Sequence, residues 1–252
     1  MKSTPILKAL TAAGVGSRRW AADAIRNGLV AVNGEKVEDF RHPVNIETDR
    51  ITVSGKSVNL RPEQLVYLLV NKPRGVITTT SDERGRQTVL EILPPKYRNL
   101  RLYPVGRLDR DSTGLLLLTN DGELTYRLTH PRFENEKEYL VQIEGSLNPE
   151  QKRKLEQGLE LEDGMTYPAV VGEAKSTPPF NYSIIIHEGR KHQVRRMFQS
   201  LGFQVYALKR VRMGSLKLGD LKEGEIRALT PREIRELVTK RSDFMTGTAS
   251  QV

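Results

Sequence analysis

The sequence predicts an α+β protein in two parts. A small helix pair with hairpins comes first, followed by a larger domain built on a mixed, largely antiparallel sheet flanked by helices. Three observations predict this. Short helical patterns and two glycine hairpin signals crowd residues 1–62. Continuous apolar runs, which suit strands buried on both faces, begin only after that segment. Strands and helices then fail to alternate as a regular βαβ series, which argues against a doubly wound parallel sheet.

In "TPILKALTAAGVGSRR" the residues Ile6, Leu7, Leu10 and Ala13 recur at helical spacing, and Gly14 and Gly16 close the helix. Ser17 caps a second helix, "RRWAADAIRNG", whose apolar pairs are Trp20/Ala24 and Ala21/Ile25 and whose stop is Gly28. "LVAVNGEKV" is a pair of β runs around Asn33-Gly34, and "ITVSGKSV" repeats the pattern around Ser54-Gly55. "NLRPEQ" (59–64), broken by Pro62, is the expected linker between a unit at 1–62 and a domain at 63–245.

Within the larger domain, "LVYLLV" (65–70), "GLLLLT" (114–119), "EYLVQIEG" (138–145) and "NYSIIIHEG" (181–189) read as strands. "TND" with Gly122, and the "HEG" after Ile186, read as turns. "NPEQKRKLEQG" reads as a helix with Asn148 as cap, Pro149 at its first position and Gly158 as its stop. "TPREIRELVTK" (230–240) holds a capping box of Thr230 and Glu233. Residues 246–252 are small and polar, and are expected to be a disordered tail.

Composition narrows the function classes. The chain has 252 residues and no cysteine, which excludes disulfides, thiolate zinc sites and every cysteine nucleophile, including that of a uridine C5-methyltransferase. No apolar run is long enough to span a membrane and no apolar leader opens the chain, so a cytoplasmic protein with no membrane association is expected. Forty Lys and Arg against 31 Asp and Glu leave a net charge of +9, which points to a polyanionic partner, nucleic acid first.

The distribution of charge agrees. Lys8, Arg18, Arg19 and Arg26 lie on or between the first two helices, off their apolar pairs, as phosphate contacts would. In "EGRKHQVRRMFQSLG" (188–202) the residues Val194, Met197, Phe198 and Leu201 mark one helix face. Arg195 falls at the flank of that stripe and Arg196 on the opposite side, so the two are expected to differ in burial. Arg190, Lys191 and Arg196 read as phosphate contacts. Arg195 reads as an arginine held against protein, which calls for a carboxylate. One stands unexplained in "GRLDRDSTGLLLLTND" (106–121), where Asp109 sits between Arg107 and Arg110 just before a buried strand. Arg195 and Asp109 are therefore expected to pair.

Other chemistries find little support. His187 and His192 are five apart rather than the four of a helical zinc motif, with Gly189 between them, and His42 and His130 are isolated, so no metal is expected. No dinucleotide fingerprint follows a strand and no P-loop occurs, which removes the common nucleotide cofactors. Asp109 and Asp111, if on a strand, would share a face at about 6.5–7 Å, within the range of glycosidase carboxylates. Asp111 reads alternatively as a turn residue of the Ser112-Thr113-Gly114 bend. A single tryptophan is thin provision for a sugar cleft.

Two resemblances sharpen the reading. "LKALTAAGVGSRRWAADAIRNGLVAVNGEKV" resembles the S4-like RNA-binding domain, which implies structured-RNA binding by the helix pair. "NKPRGVITT" (71–79), "GRLDRDSTGLLLLTNDGEL" (106–124), "KEYLV" (137–141) and "EGRKHQVRRM" (188–197), in that order, resemble the RsuA/RluB family of ribosomal RNA pseudouridine synthases across nearly the whole chain. That resemblance implies the pseudouridine synthase fold and isomerisation of a uridine in ribosomal RNA, with no cofactor. It assigns Asp109 as the catalytic aspartate, Tyr139 as the tyrosine that stacks on the base, and Arg195 as the basic partner that keeps Asp109 ionised. Arg107, Lys72 and Arg74 would grip the flanking phosphates. The expected partner is ribosomal RNA or a pre-ribosomal particle, the large subunit being favoured, and the expected state is a monomer. The alternative is a non-catalytic RNA-binding or ribosome-assembly protein on the same scaffold. The triad of Asp109, Tyr139 and Arg195 argues against that, because a pure binder has no use for it.

Overall fold

The computed structural model describes residues 3–174 and 177–238; the tail from Thr246 lies outside them. The chain divides into two compact units, with the break between Leu65 and Val66.

In the first unit, α1 (Ile6–Ala12) and α2 (Arg18–Arg26) pack against a small sheet of β1 (Val30–Val32), β2 (Glu35–Lys36), β3 (Ile51–Val53) and β4 (Lys56–Val58). Ser17 caps α2 by accepting from the Trp20 amide at 2.9 Å. Both hairpin turns run through positive φ, Asn33-Gly34 at 53° and 94° and Ser54-Gly55 at 49° and 77°. This conformation matches the twist of the flanking strands. The core is Ile6, Leu10, Ala21, Ile25, Val30 and Ile51, all at most 1% exposed. Trp20, expected on the apolar face, is 44% exposed instead.

The second unit is a mixed sheet. Its strands are β5 (Tyr67–Lys72), β6 (Thr113–Thr119), β7 (Lys137–Ile143), β8 (Val170–Glu173), β9 (Tyr182–Ile186), β10 (Val205–Met213) and β11 (Ile226–Ala228). Across the sheet they run β8-β9-β7-β10-β6-β5-β11, with short strands added at Tyr103–Pro104 and Leu216–Lys217. Every named pair is antiparallel except β10 with β6. The apolar runs are buried on both faces: Leu68, Val70, Leu116 and Leu118 enter one core cluster, while Leu69, Leu115 and Leu117 enter another. Around the sheet lie α3 (Gly122–Thr129), α4 (Pro149–Gln157), α5 (Gln193–Ser200) and α6 (Pro231–Val238). α4 has the Asn148 cap, completed as a box by Gln151, and α6 has the Thr230–Glu233 box.

Four of these elements differ from the sequence expectation, among them β8 and β11, two short strands absent from it. "TND" with Gly122 is not a plain turn: Asp121 accepts from the amides of Glu123 and Leu124 and starts α3, whose glycine opening and brief apolar stripe hide it. β10 was not foreseen at all. Its inward position 210 is an arginine where an apolar residue would complete the period of two.

Gly114 is where β6 meets β10. Its φ is +102°, and a Cβ built there would lie 2.2 Å from the Arg210 carbonyl oxygen and 2.7 Å from the Arg210 nitrogen. Any side chain would force those two strands apart. Gly114→Ala is therefore expected to destabilise the larger domain by at least about 2 kcal/mol, measured by thermal or denaturant melting. A wild-type melt would show that the strands do not approach this closely.

Candidate active site

Asp109 lies on the loop 106–112, which enters from the buried Val105 and leaves into β6. The carbonyls of this loop are almost all held from outside it. The Thr78 hydroxyl donates to the Leu108 carbonyl at 2.8 Å and the Gly75 amide to that of Arg110 at 2.9 Å. Lys72 Nζ donates to the carbonyls of Ser112 at 2.8 Å, Pro73 at 2.9 Å and Arg110 at 3.3 Å. Arg210 Nε donates to the Leu115 carbonyl at 2.7 Å, and its Nη1 reaches that of Arg107 at 3.5 Å. Arg195 donates through Nη2 to the Asp111 carbonyl at 3.4 Å and through Nη1 to that of Val205 at 2.8 Å. The Ser112 amide closes the turn on the Asp109 carbonyl at 3.1 Å. A carboxylate on such a loop is held in place before any substrate arrives.

Asp109 opens onto a cavity of about 760 Å³. Lys137 and Tyr139 of β7, Leu208 and Arg210 of β10, Ile186 of β9 and the segment 187–194 share its wall. Tyr139, 8% exposed, lies opposite Arg210 in the register of β7 and β10, beside a bulge at Val211. The cavity thus brings Asp109 and Tyr139 together, with Arg107, Arg190 and Lys191 in the same wall.

Several assignments change. The Asp109 carboxylate lies against His192, Nε2 to Oδ1 at 3.3 Å, and the side chain of Arg195 goes to backbone carbonyls instead. Helical phase places a residue on a face, but it does not fix where a long guanidinium ends. His192 stands at φ 52° as the residue before α5, and the sequence marked it only as a failed zinc ligand. Arg195 and Arg196 are both half-buried, contrary to the expected difference. Arg196 makes a bidentate pair with Asp163, both contacts at 2.9 Å, and its guanidinium holds the Asp163 carboxyl below the usual carboxylate range. Arg190 braces the same segment through the carbonyls of Asp163 and Gly164 and the carboxylate of Glu188. Each of these cations therefore has a structural partner where a phosphate was expected.

Lys72 changes most. It is fully buried, and burial pushes its ammonium down to about 8 although Glu223, Asp109 and Asp111 pull it upward. It cannot grip a phosphate from there. Arg74 stays exposed, its Nε 3.9 Å from Asp111 Oδ1, and Arg107 and Lys191 are exposed at the cavity rim. Asp111 sits in a turn rather than on a strand, so the strand spacing weighed for a carboxylate pair does not apply. In the first unit Lys8, Arg18, Arg19 and Arg26 are all exposed. Arg26 is paired with Asp23 at 2.8 Å. Among the described residues no group of three histidine or carboxylate side chains could hold a metal ion, and no helix is long and apolar enough to cross a membrane.

The larger unit thus holds a fixed carboxylate in the wall of a cavity that a tyrosine also lines, and the smaller unit carries a basic helix pair. This combination defines a class of RNA-modifying enzyme. Residues 66–200 match the RNA pseudouridylate synthase family and residues 4–51 the S4 domain. The chain belongs to the RNA pseudouridine synthases, in the RsuA/RluB family, and is an isomerase acting on RNA. It is 43% identical to the ribosomal large subunit pseudouridine synthase B of Bacillus subtilis over 91% of this chain and 93% of that one. It is 41% identical to an uncharacterized RNA pseudouridine synthase of Aquifex aeolicus, with 94% of each chain covered. A crystal structure of a pseudouridylate synthase superposes with a TM-score of 0.66 at 33% identity, covering 92% of this chain and 99% of that one.

Lys72 offers a test of structural against RNA-binding cations. Lys72→Met takes a donor from the Arg110 and Ser112 carbonyls of the Asp109 loop and from the Pro73 carbonyl beside it, a loss of about 1–3 kcal/mol. A lower melting temperature and lower turnover are expected, with the slope of log affinity against log salt unchanged. A shallower slope in the variant would mean that Lys72 reaches phosphate after all.

Proposed function

We infer that this chain isomerises a uridine of ribosomal RNA, that of the large subunit, to pseudouridine, and that Asp109 is its catalytic carboxylate. The observation that carries the reading is the loop 106–112, which fixes a carboxylate by its carbonyls in the wall of a cavity roomy enough for a turned-out nucleotide. The relative from Bacillus subtilis, which aligns over nearly all of both chains, supports the choice of subunit.

A uridine in a stacked or paired stretch is out of reach, so the target base turns out of its stack and enters the cavity against Tyr139. Breaking C1′–N1 builds positive charge on the sugar, and the ionised Asp109 answers it as nucleophile at C1′, as base at C2′ or by attack on the uracil ring. The base rotates and C5 bonds to C1′. His192 orients the carboxylate from the start of α5. Arg107, Arg74 and Lys191 contact the flanking phosphates from the rim. The reaction rearranges bonds within one nucleotide, so its balance calls for no cofactor.

The first unit supplies RNA affinity. Arg18 and Arg19 occupy the first turn of α2, where the helix dipole disfavours cations. Their place there fits an anion brought from outside, and phosphate is that anion.

Two measurements follow. Asp109→Asn is expected to keep fold and RNA affinity near wild type and to abolish pseudouridine formation, because an amide is neither nucleophile nor base; substantial turnover of ribosomal RNA by the pure variant would remove Asp109 from the chemistry. Replacing Lys8, Arg18, Arg19 and Arg26 together by glutamine is expected to reduce the slope of log affinity against log salt by up to about 3, at somewhat under one per phosphate contact. An unchanged slope would make these residues a merely solvated face.

A further inference from the structure

The floor of the cavity is more cationic than a base-stacking pocket requires. Lys137, Tyr139 and Arg210 share it. Lys137 stands two residues before Tyr139 on β7, hence on the same face, and Arg210 lies directly across from Tyr139 on β10. Arg210 is 1% exposed, and it donates to the backbone carbonyls of Leu115 and Arg107 rather than to a carboxylate. Among the described residues its Nη2 has no hydrogen-bond partner, and neither does the Oγ of Ser112, also 1% exposed and also in the cavity wall. Lys137 Nζ has one backbone contact, the Asn135 carbonyl at 3.2 Å.

Burying an arginine without an acid is costly, because carbonyl dipoles replace only part of the lost hydration. The fold keeps that charge beside a ring that receives a base. Its effect reaches Lys137, which is pushed down to about 8 by burial first and by Arg210 second, while Glu188 pulls it upward.

Uracil is what such a floor suits. It presents two carbonyl oxygens, whereas lysine and arginine offer donors only. When C1′–N1 breaks, the electron pair leaves with the base and spreads over O2 and O4. C5 then bonds to C1′, the C5 proton is released and N1 takes one up, so no other reagent is consumed. The base is most anionic between those two events.

We propose that Lys137 and Arg210 form a hole for the departing uracil anion: Lys137 touches a uracil carbonyl oxygen as a catalytic residue, and Arg210, sealed beneath the floor, acts as a positioning residue that supplies fixed positive potential and anchors the loop of Asp109. This rests on the cavity being the site of isomerisation.

The test compares charge-keeping and charge-removing variants on ribosomal RNA transcripts labelled with tritium at C5 of uridine, reading tritium release. Lys137→Met and Arg210→Gln are expected to lower kcat about 100-fold or more, with KM and RNA affinity within a few-fold of wild type. Lys137→Arg and Arg210→Lys are expected to keep most of the turnover. Wild-type kcat in Lys137→Met, or charge-keeping variants as inactive as the neutral ones, would overturn the proposal. If Arg210→Gln does not fold, the Lys137 pair alone decides.

A pH profile provides a readout that a structural role would not move. Lys137 faces Arg210 from β10, Glu188 from the segment before α5, and Asp109 and His192 across the cavity. As pH rises through about 8 it loses its proton, so kcat of the wild type is expected to fall there. In Lys137→Arg the limb moves up by more than about one pH unit, since arginine stays charged. An unmoved limb overturns the assignment of Lys137. Failure of the parent reading has a separate signature, namely turnover that survives Asp109→Asn.

Discussion

The larger domain turns on one type of contact: buried or half-buried cations hydrogen-bonded to the backbone carbonyls of a single loop. Lys72 from β5, Arg210 from β10 and Arg195 from α5 converge on the stretch that carries Asp109 and take the carbonyls of residues 107, 110, 111, 112 and 115. Much of the surrounding fold is arranged so that they can. β10 runs parallel to β6 beside Gly114, close enough for Arg210 to reach the Leu115 carbonyl. β5 pairs with β6 through Lys72 opposite Gly114, which brings the ammonium under the loop. α5 begins at Gln193, immediately after His192, so its first turn faces the same loop.

Carbonyls serve this purpose where carboxylates would not. An acid paired with Lys72 or Arg210 would cancel the positive charge and add a second anion beside Asp109. A carbonyl satisfies the donors while leaving the cation's net charge in place. The site therefore holds cations whose hydrogen bonds go to carbonyls, at the point where, in the proposed reaction, a base gathers negative charge. That is the preorganised electrostatics on which enzymes of this kind depend. The cost lies in desolvation, and the buried Lys72 and half-buried Lys137 show it in ammonium groups pushed down to about 8.

How much of this was legible follows from what a sequence can record. Caps, hairpin glycines and apolar runs are local, and they placed both helices of the first unit, its two hairpins and four strands of the larger sheet. Asp109 was conspicuous because a carboxylate among arginines ahead of a buried strand fits neither surface nor core. Partners are not local. Arg195 was matched with Asp109 by helical phase, yet its guanidinium ends on Val205 and Asp111 carbonyls while His192 takes the carboxylate. Lys72, Arg190 and Arg196 were read as phosphate contacts because charge is visible in a sequence and burial is not. Arg210 escaped altogether, since an arginine at an inward strand position breaks the very pattern by which strands are recognised.

The distribution of cations then explains the charge of the chain better than their number does. A net charge of +9 suggests one continuous footprint for RNA. The structure sorts the cations by depth instead. Lys72 and Arg210 are sealed, and hold the catalytic loop. Arg190 and Arg196 are half-buried and tie the segment 163–165 to the start of α5, so their charge is spent within the protein. Arg74, Arg107 and Lys191 at the rim, and Lys8, Arg18 and Arg19 on the first helix pair, stay exposed. Of the cations placed so far, a polyanion can reach only these last groups and Arg26, and salt sensitivity of binding belongs to exposed cations such as these. Electrostatic control of the chemistry belongs to cations that salt cannot screen, because low-dielectric protein surrounds them. Affinity for RNA and stabilisation of the reacting base thus rest on different arginines and lysines, and selection can tune either without disturbing the other.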